Sequence, residues 1–217
     1  MIQRSAVCAR LGIAACTVLS VLACTFGVPA AALAEEVPPA PEPVAVAVDS
    51  ATTALLIVDV NQQTCGGQPT CAQGVAPVVA SLLASAREAG ALVVYSSAGN
   101  SPILPEVAPL ATETVVGNVV QNRFFDTNLD DVLRAHGITT IILVGWRANG
   151  AVLYTSYGAN TLRYTTVVPI DGTSAGTPVD VAIGFYQMQN QAVANPRNQP
   201  LLAGAVTLSR SDLITFQ

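Results

Sequence analysis

Asp59 closes the apolar run Ala54-Leu55-Leu56-Ile57-Val58, a pattern that suits a central parallel strand covered on both faces. In an open parallel sheet, ligands gather beyond the carboxyl ends of the strands, where strand order changes direction. An aspartate at such an end is placed to give or take a proton, although a turn-forming or helix-capping aspartate is the plainer reading of the same position. Two more strand ends carry informative residues, Gly145 and Asp171. The turn Gly145-Trp146-Arg147-Ala148-Asn149-Gly150 leads into a helix from Ala151, and a loop entering a helix offers backbone N–H groups to an oxyanion or carboxylate. Asn149, Gly150 and Ala151 are therefore candidate substrate-binding positions. Asn61, two residues past Asp59, either lines the same hollow or caps the next helix. Arg147 and Arg123 are candidate sources of positive charge for an anion, against their ordinary role as solvated surface groups. Trp146 and Tyr154 are candidate walls for a flat ligand, with core packing the plainer role for each.

What the chain lacks narrows the chemistry further. No lysine occurs in its 217 residues, and His136 is its one histidine. Arg4 and Arg10, the apolar stretch of residues 11–28 and Ala32-Leu33-Ala34 form the three parts of a cleavable signal peptide. Gly12, Gly27 and Pro29 interrupt that stretch, which is already short for a membrane-spanning helix. The expectation is cleavage after Ala34 and a secreted or periplasmic, cell-envelope location, with no membrane insertion afterwards. Lipid attachment at Cys24, in Val21-Leu22-Ala23-Cys24, is the weaker alternative. Cleavage removes two of the nine arginines and none of the fourteen acids, moving the net charge from −5 to −7. With no basic patch, nucleic acid is excluded as a partner; a small molecule is expected instead. An apolar content of 51% with 11% charged residues leaves room for a homo-oligomer.

Cys8, Cys16 and Cys24 leave with the signal, so Cys65 and Cys71 are the two that stay. An even pair around a turn-rich loop, in an exported chain, reads as a disulfide. Two free thiols, or half of a metal site, are the alternatives. A zinc site needs about four ligands and His136 lies far off in a helical pattern, so neither a metal nor another cofactor is expected. Residues 35–50, rich in Pro, Ala, Val and Glu, read as an extended tether outside the fold. Residues 51–217 then form one domain, in which apolar strands at 54–58, 91–95, 138–144, 164–170 and 205–208 alternate with helices at 75–89, 127–136, 151–160 and 178–192. That alternation implies a parallel sheet with helices on both sides. Residues 96–113, punctuated by Pro and Gly, read as a loop.

Three segments in order carry a resemblance: Leu55-Leu56-Ile57-Val58-Asp59-Val60-Asn61; Val115-Val116-Gly117-Asn118 followed by Phe124-Phe125-Asp126-Thr127-Asn128-Leu129; and Ile142-Leu143-Val144-Gly145-Trp146-Arg147-Ala148-Asn149-Gly150-Ala151-Val152. Together, over about residues 52–174, they resemble the isochorismatase-like hydrolases. The resemblance implies a three-layer α/β/α, Rossmann-like sandwich with a mainly parallel six-stranded sheet. It also implies an aspartate, a lysine and a cysteine as the usual apparatus. Here the aspartate position is Asp59, the lysine position falls on Asn118 and the cysteine position on Ala151. A thiolate mechanism needs a thiol and a group to ionise it, so a cysteine amidohydrolase is excluded. Family members that hydrolyse isochorismate carry a small residue at the cysteine position, which points to a cysteine-independent hydrolase with Asp59 as general acid or base and Asn118 binding substrate. The alternative is an inactive relative that keeps the pocket for ligand binding or the fold for assembly. A solitary strand-end carboxylate further predicts that Asp59→Asn leaves the melting temperature equal or higher.

Overall fold

The computed structural model describes residues 42–99, 101–118 and 120–217, with the side chain of Asn118 left aside. The expected signal segment and the first part of the expected tether lie outside the described residues.

Strand β2 (Thr53–Val58) is buried along its whole length and flanked by β3 (Leu92–Ala98) and β5 (Thr140–Trp146), both parallel to it. With β4 (Thr114–Asn118), β6 (Thr165–Pro169) and β8 (Val206–Ser209), the sheet runs β4-β3-β2-β5-β6-β8, and the two-residue β7 (Thr173–Ser174) pairs with β5 beyond β6. Alternate residues of β2 serve opposite layers, as the pleat requires. Leu55 and Ile57 face helix α1 (Ala76–Glu88), packing with Val79, Leu82 and Leu83. Ala54, Leu56 and Val58 face the other layer, built from α2 (Leu129–Ala135), α3 (Leu153–Thr161) and α4 (Pro178–Gln189), through Leu129, Leu133, Ala159, Phe185 and Met188. The sheet is thus a three-layer sandwich, and the run of consecutive apolar residues in β2 follows from burial on both faces.

Strand order departs from β2 in two directions, to β3 and β4 on one side and to β5, β6 and β8 on the other. The reversal lies between β2 and β5, so Asp59 and Gly145 sit together at the carboxyl side of the switch point, where a crevice must open.

Three expectations are corrected. Residues 96–113 are not all loop: β3 continues through Ala98, and β4 begins at Thr114 as the edge strand. The helix expected from residue 127 begins at Leu129, with Asn128 at its N-cap position and Thr127 Oγ1 accepting from the Leu129 N–H at 3.3 Å. The tether reading fails for residues 46–48, which form strand β1 (Val46–Val48) paired in parallel with β9 (Ile214–Phe216) at the chain's far end. The alternation Val44-Ala45-Val46-Ala47-Val48 is a strand pattern, and Val46 and Val48 bury their side chains in the α1-side core; the prolines just before it had masked the signal.

At the register Val58↔Gly145, residue 145 has φ 124°, and a Cβ added there would stand 1.9 Å from the Val58 carbonyl oxygen. Both the conformation and the close approach require glycine. Gly145→Ala should therefore cost about 3 kcal/mol or more, read as a fall in the denaturation midpoint; an unchanged midpoint would show that β2 and β5 are not held at this spacing.

Candidate functional site

Asp59 leaves β2 with φ 55°, a left-handed conformation that aspartate tolerates better than most residues. Its N–H donates to the Ser96 carbonyl, at 3.0 Å, and its own carbonyl accepts from Thr64 Oγ1. The turn projects the carboxylate over the sheet edge, where Oδ1 accepts from the Ala98 N–H at 2.9 Å and Oδ2 from the Arg123 guanidinium. Both side chains are buried, 8% exposed for Asp59 and 3% for Arg123. Burial pushes the Asp59 carboxyl above its ordinary value, and the nearby Arg123 charge and the Ala98 N–H oppose that shift. Burial likewise pushes Arg123 down, with Asp59 opposing.

Arg123 reaches this place because two threonines hold its backbone. Thr127 Oγ1 donates to the Arg123 carbonyl at 2.7 Å. Thr155 Oγ1, on α3, accepts from the Arg123 N–H and donates to the Gln121 carbonyl, each at 3.2 Å. Nearby, Gly158 of α3 lies against Asn122, whose Oδ1 would be 2.4 Å from an added Cβ. The segment carrying Arg123 is thereby tied to Thr127, just ahead of α2, and to α3, in the layer opposite α1.

Above the pair opens a hollow of about 370 Å³ lined by Asp59, Thr64, Gln68, Ala98, Val120, Gln121, Arg123, Trp146, Arg147 and Ala151. Trp146 both lines it and packs into the core, while Tyr154 is 52% exposed and belongs to a separate surface groove with Tyr157 and Tyr186. Gly150 lies in a distorted turn, Ala148–Val152, and its N–H and that of Val152 both donate to the Arg147 carbonyl, at 3.0 and 3.2 Å. The Gly150 N–H expected to meet an oxyanion is thus spent inside the turn. Asn149 turns away from the hollow, donating from Nδ2 to Asp180 Oδ1 at 2.7 Å. Asn61, fully buried, caps the turn Gln62–Gly66 through the Thr64 N–H and donates to Ser97 Oγ; of its two expected roles it has the capping one. Asn118 ends β4, in register with Ala98. Asp171 accepts from the Ser211 N–H and hydroxyl and does not line the hollow.

Cys65 and Cys71 are joined in a disulfide with 5.2 Å between their Cα atoms, and both are fully buried. The ring they close carries Gln68, and Thr64 precedes it, so the disulfide fixes one wall of the hollow. Thr64, Gln68, Ala98, Val120 and Gln121 are wall residues that sequence reasoning missed. The spacing of the two cysteines was the available signal for Gln68, because a short closed ring beside a strand-end aspartate must face the crevice. Among the described residues no three His, Cys, Asp or Glu side chains converge to hold a metal ion.

Residues 53–198 match the isochorismatase domain. The chain is 30% identical over 146 residues to maleamate amidohydrolase of Pseudomonas putida, covering 53% of this chain and 68% of that protein. Its fold is similar to that of an isochorismatase family protein from Desulfovibrio vulgaris, with a TM-score of 0.62 and 24% identity over 74% of this chain and 95% of the other. N-carbamoylsarcosine amidase from Thermoplasma acidophilum is alike to the same degree, TM-score 0.62 and 23% identity, over 74% of this chain and 97% of that one. The chain belongs to the isochorismatase family, within the cysteine hydrolase superfamily.

Closing so short a ring is worth about 2 kcal/mol in loop entropy. Replacing Cys65 and Cys71 together by alanine should lower the unfolding free energy by about that amount, measured by denaturant titration against the parent; equal stability would remove the disulfide's role in fixing the wall.

Proposed function

We propose that this chain is an exported hydrolase of a small molecule, working without cysteine, with Asp59 as general acid or base and water as the nucleophile. The observation that carries this reading is the buried Asp59–Arg123 pair on the floor of an open hollow. Burying two charges costs several kcal/mol per ion, a cost that the fold alone does not require. The pair places a cation against the aspartate although the chain has no lysine, and the cation comes from five residues beyond the position where the resemblance put it. Among the described residues, Thr64 carries the sole hydroxyl or thiol on the hollow's wall, and that hydroxyl is committed to the Asp59 carbonyl and Asn61 Oδ1. Water is left as the nucleophile. Asp59 removes its proton and returns it to the leaving group, as burial and the opposing guanidinium together make its carboxyl suited to both directions of transfer. Arg147 and Ala151 line the space in which the substrate would lie.

Ala151 favours a second reading, a relative that binds without turnover, because a methyl group stands where the family's nucleophile is placed by the resemblance. Screening isochorismate, simple amides and carbamoyl compounds for turnover, beside thermal-shift binding, separates the two: binding without any hydrolysis supports the second.

Asp59→Asn should lower turnover by at least 10²-fold. The ion pair reverses the stability expectation for that substitution, since it takes the opposing charge away from a buried guanidinium and should cost about 3 kcal/mol. The pair of substitutions Asp59→Asn and Arg123→Gln, which removes both charges, should recover most of that stability and remain inactive. Activity retained in the double variant would sink the role of Asp59. The rate should also rise with pH through an inflection above the ordinary carboxylate value of about 3.9, because ionised Asp59 is the base. Arg123→Gln should move that inflection upward, since the guanidinium holds the carboxyl down; a downward or absent shift would contradict the pairing.

A further inference from the structure

We propose that the aromatic groove walled by α3 and α4 is a binding site for the chain's own proline-rich segment, residues 37–41. The inference is independent of any chemistry in the hollow. The groove has a volume of about 370 Å³ and is lined by Tyr154, Tyr157, Tyr186, Gln187, Asn190 and Gln191. The three tyrosines are 52%, 49% and 53% exposed, and the exposed Val179 and Ile183 continue the apolar stripe of Tyr186 along one face of α4. Apolar side chains gathered in one exposed patch, unlike single ones scattered over a surface, mark an interaction site.

The wall chemistry narrows the occupant. Among the described residues no charged side chain lines the groove, so it holds nothing for an ion. It offers ring faces, side-chain amides, and three phenol hydroxyls that no described residue hydrogen-bonds. Such a surface recognises a polyproline helix, whose rings pack on aromatic faces and whose carbonyls, having no partners within the helix, accept hydrogen bonds from the wall. Gln191 Nε2 donates to Ser156 Oγ at 2.7 Å, while its Oε1 is buried without a partner; an N–H of the bound segment would satisfy that acceptor.

The chain supplies a segment of this kind close by. Val37-Pro38-Pro39-Ala40-Pro41, uncharged and with three prolines in five residues, immediately precedes Glu42. The Glu42 carbonyl accepts from Asn198 Nδ2 at 2.9 Å. The Asn198 N–H donates to the Asn195 carbonyl, and the Asn195 N–H to the carbonyl of Gln189, the last residue of α4, each at 2.9 Å. Three hydrogen bonds thus lead from Glu42 to the end of the helix that carries Tyr186, beside Asn190 of the groove wall. Five residues of polyproline helix reach about 15 Å, nearly three turns of an α-helix, whereas Tyr186 and Asn190 are about one turn apart. A covalently joined segment is present at the groove at an effective concentration of about millimolar, so even a weak contact closes it ahead of a separate peptide.

The test places a photo-crosslinking benzophenone side chain at position 40 of the full chain and maps the product by mass spectrometry. The expected product is a crosslink within one chain to residues 153–157 or 186–191. Crosslinks elsewhere, between two chains, or absent altogether overturn the proposal. A second measurement follows tyrosine nitration by tetranitromethane. Replacing Pro38, Pro39 and Pro41 together by glycine should raise the rate at Tyr154, Tyr157 and Tyr186 severalfold and leave Tyr95, which is 1% exposed in the core, unchanged. A free peptide of residues 37–43 should bring the slow rate back in that variant only near millimolar concentration. Equal rates in parent and variant contradict the docking, and protection that grows with protein concentration would assign the groove to a second copy instead.

Discussion

Two buried charges that must stay together set the terms for the carboxyl edge of this sheet. Neither Asp59 nor Arg123 is tolerable in the interior alone, and they arrive from opposite directions: one on a strand-end residue in a left-handed conformation, the other on a segment pinned by Thr127 and Thr155. Where β2 runs into Asp59, β5 lies so close that Gly145 has no room for a side chain. For the guanidinium to reach the carboxylate, the segment of Arg123 must be held by Thr127 and by Thr155 of α3. The floor of the hollow thereby reports on both the sheet and the helical layer over one of its faces, and a fault in either would strand a charge.

A similar economy holds on the other side of the hollow. Gly184 of α4 lies so near the turn before α3 that an added Cβ would be 2.7 Å from the Ala148 carbonyl, and Asp180 of the same helix ties Asn149. The turn that carries Arg147 and Ala151 is therefore backed by a helix, while the disulfide ring braces the wall that carries Gln68. Rigid support of this kind is what a site needs if its groups are to be in place before a ligand comes.

Much of the fold was legible because its signals are local. The two-sided burial of β2 appears as five apolar residues in a row, and the aspartate that ends it marks the switch point without any knowledge of its neighbours. The edge strand β4 was missed because Thr114–Asn118 is short and follows a proline-rich stretch, and strand β1 because its partner lies 168 positions away at Ile214. At the site, Asp59, Arg147 and Ala151 were legible as candidates, as each sits next to a strand end. Arg123 was legible as a candidate cation, but its pairing with Asp59 was not, since nothing local distinguishes a guanidinium that folds inward from one in water; its direction is decided by threonines four and thirty-two residues on. Asn61 and Asn149 read as ligand contacts by proximity in sequence, yet both amides are consumed by backbone or helix-end partners.

The pairing of Val46–Val48 with Ile214–Phe216 has a consequence for how the molecule is made. A ribosome releases residue 46 long before residue 214 exists, so this small sheet cannot form until 168 further residues have been made. Its register depends on a contact of very high sequence separation, the kind that is slow to find. Until then Val46–Val48 has nothing to pair with, and its closure follows the synthesis of every strand of the larger sheet.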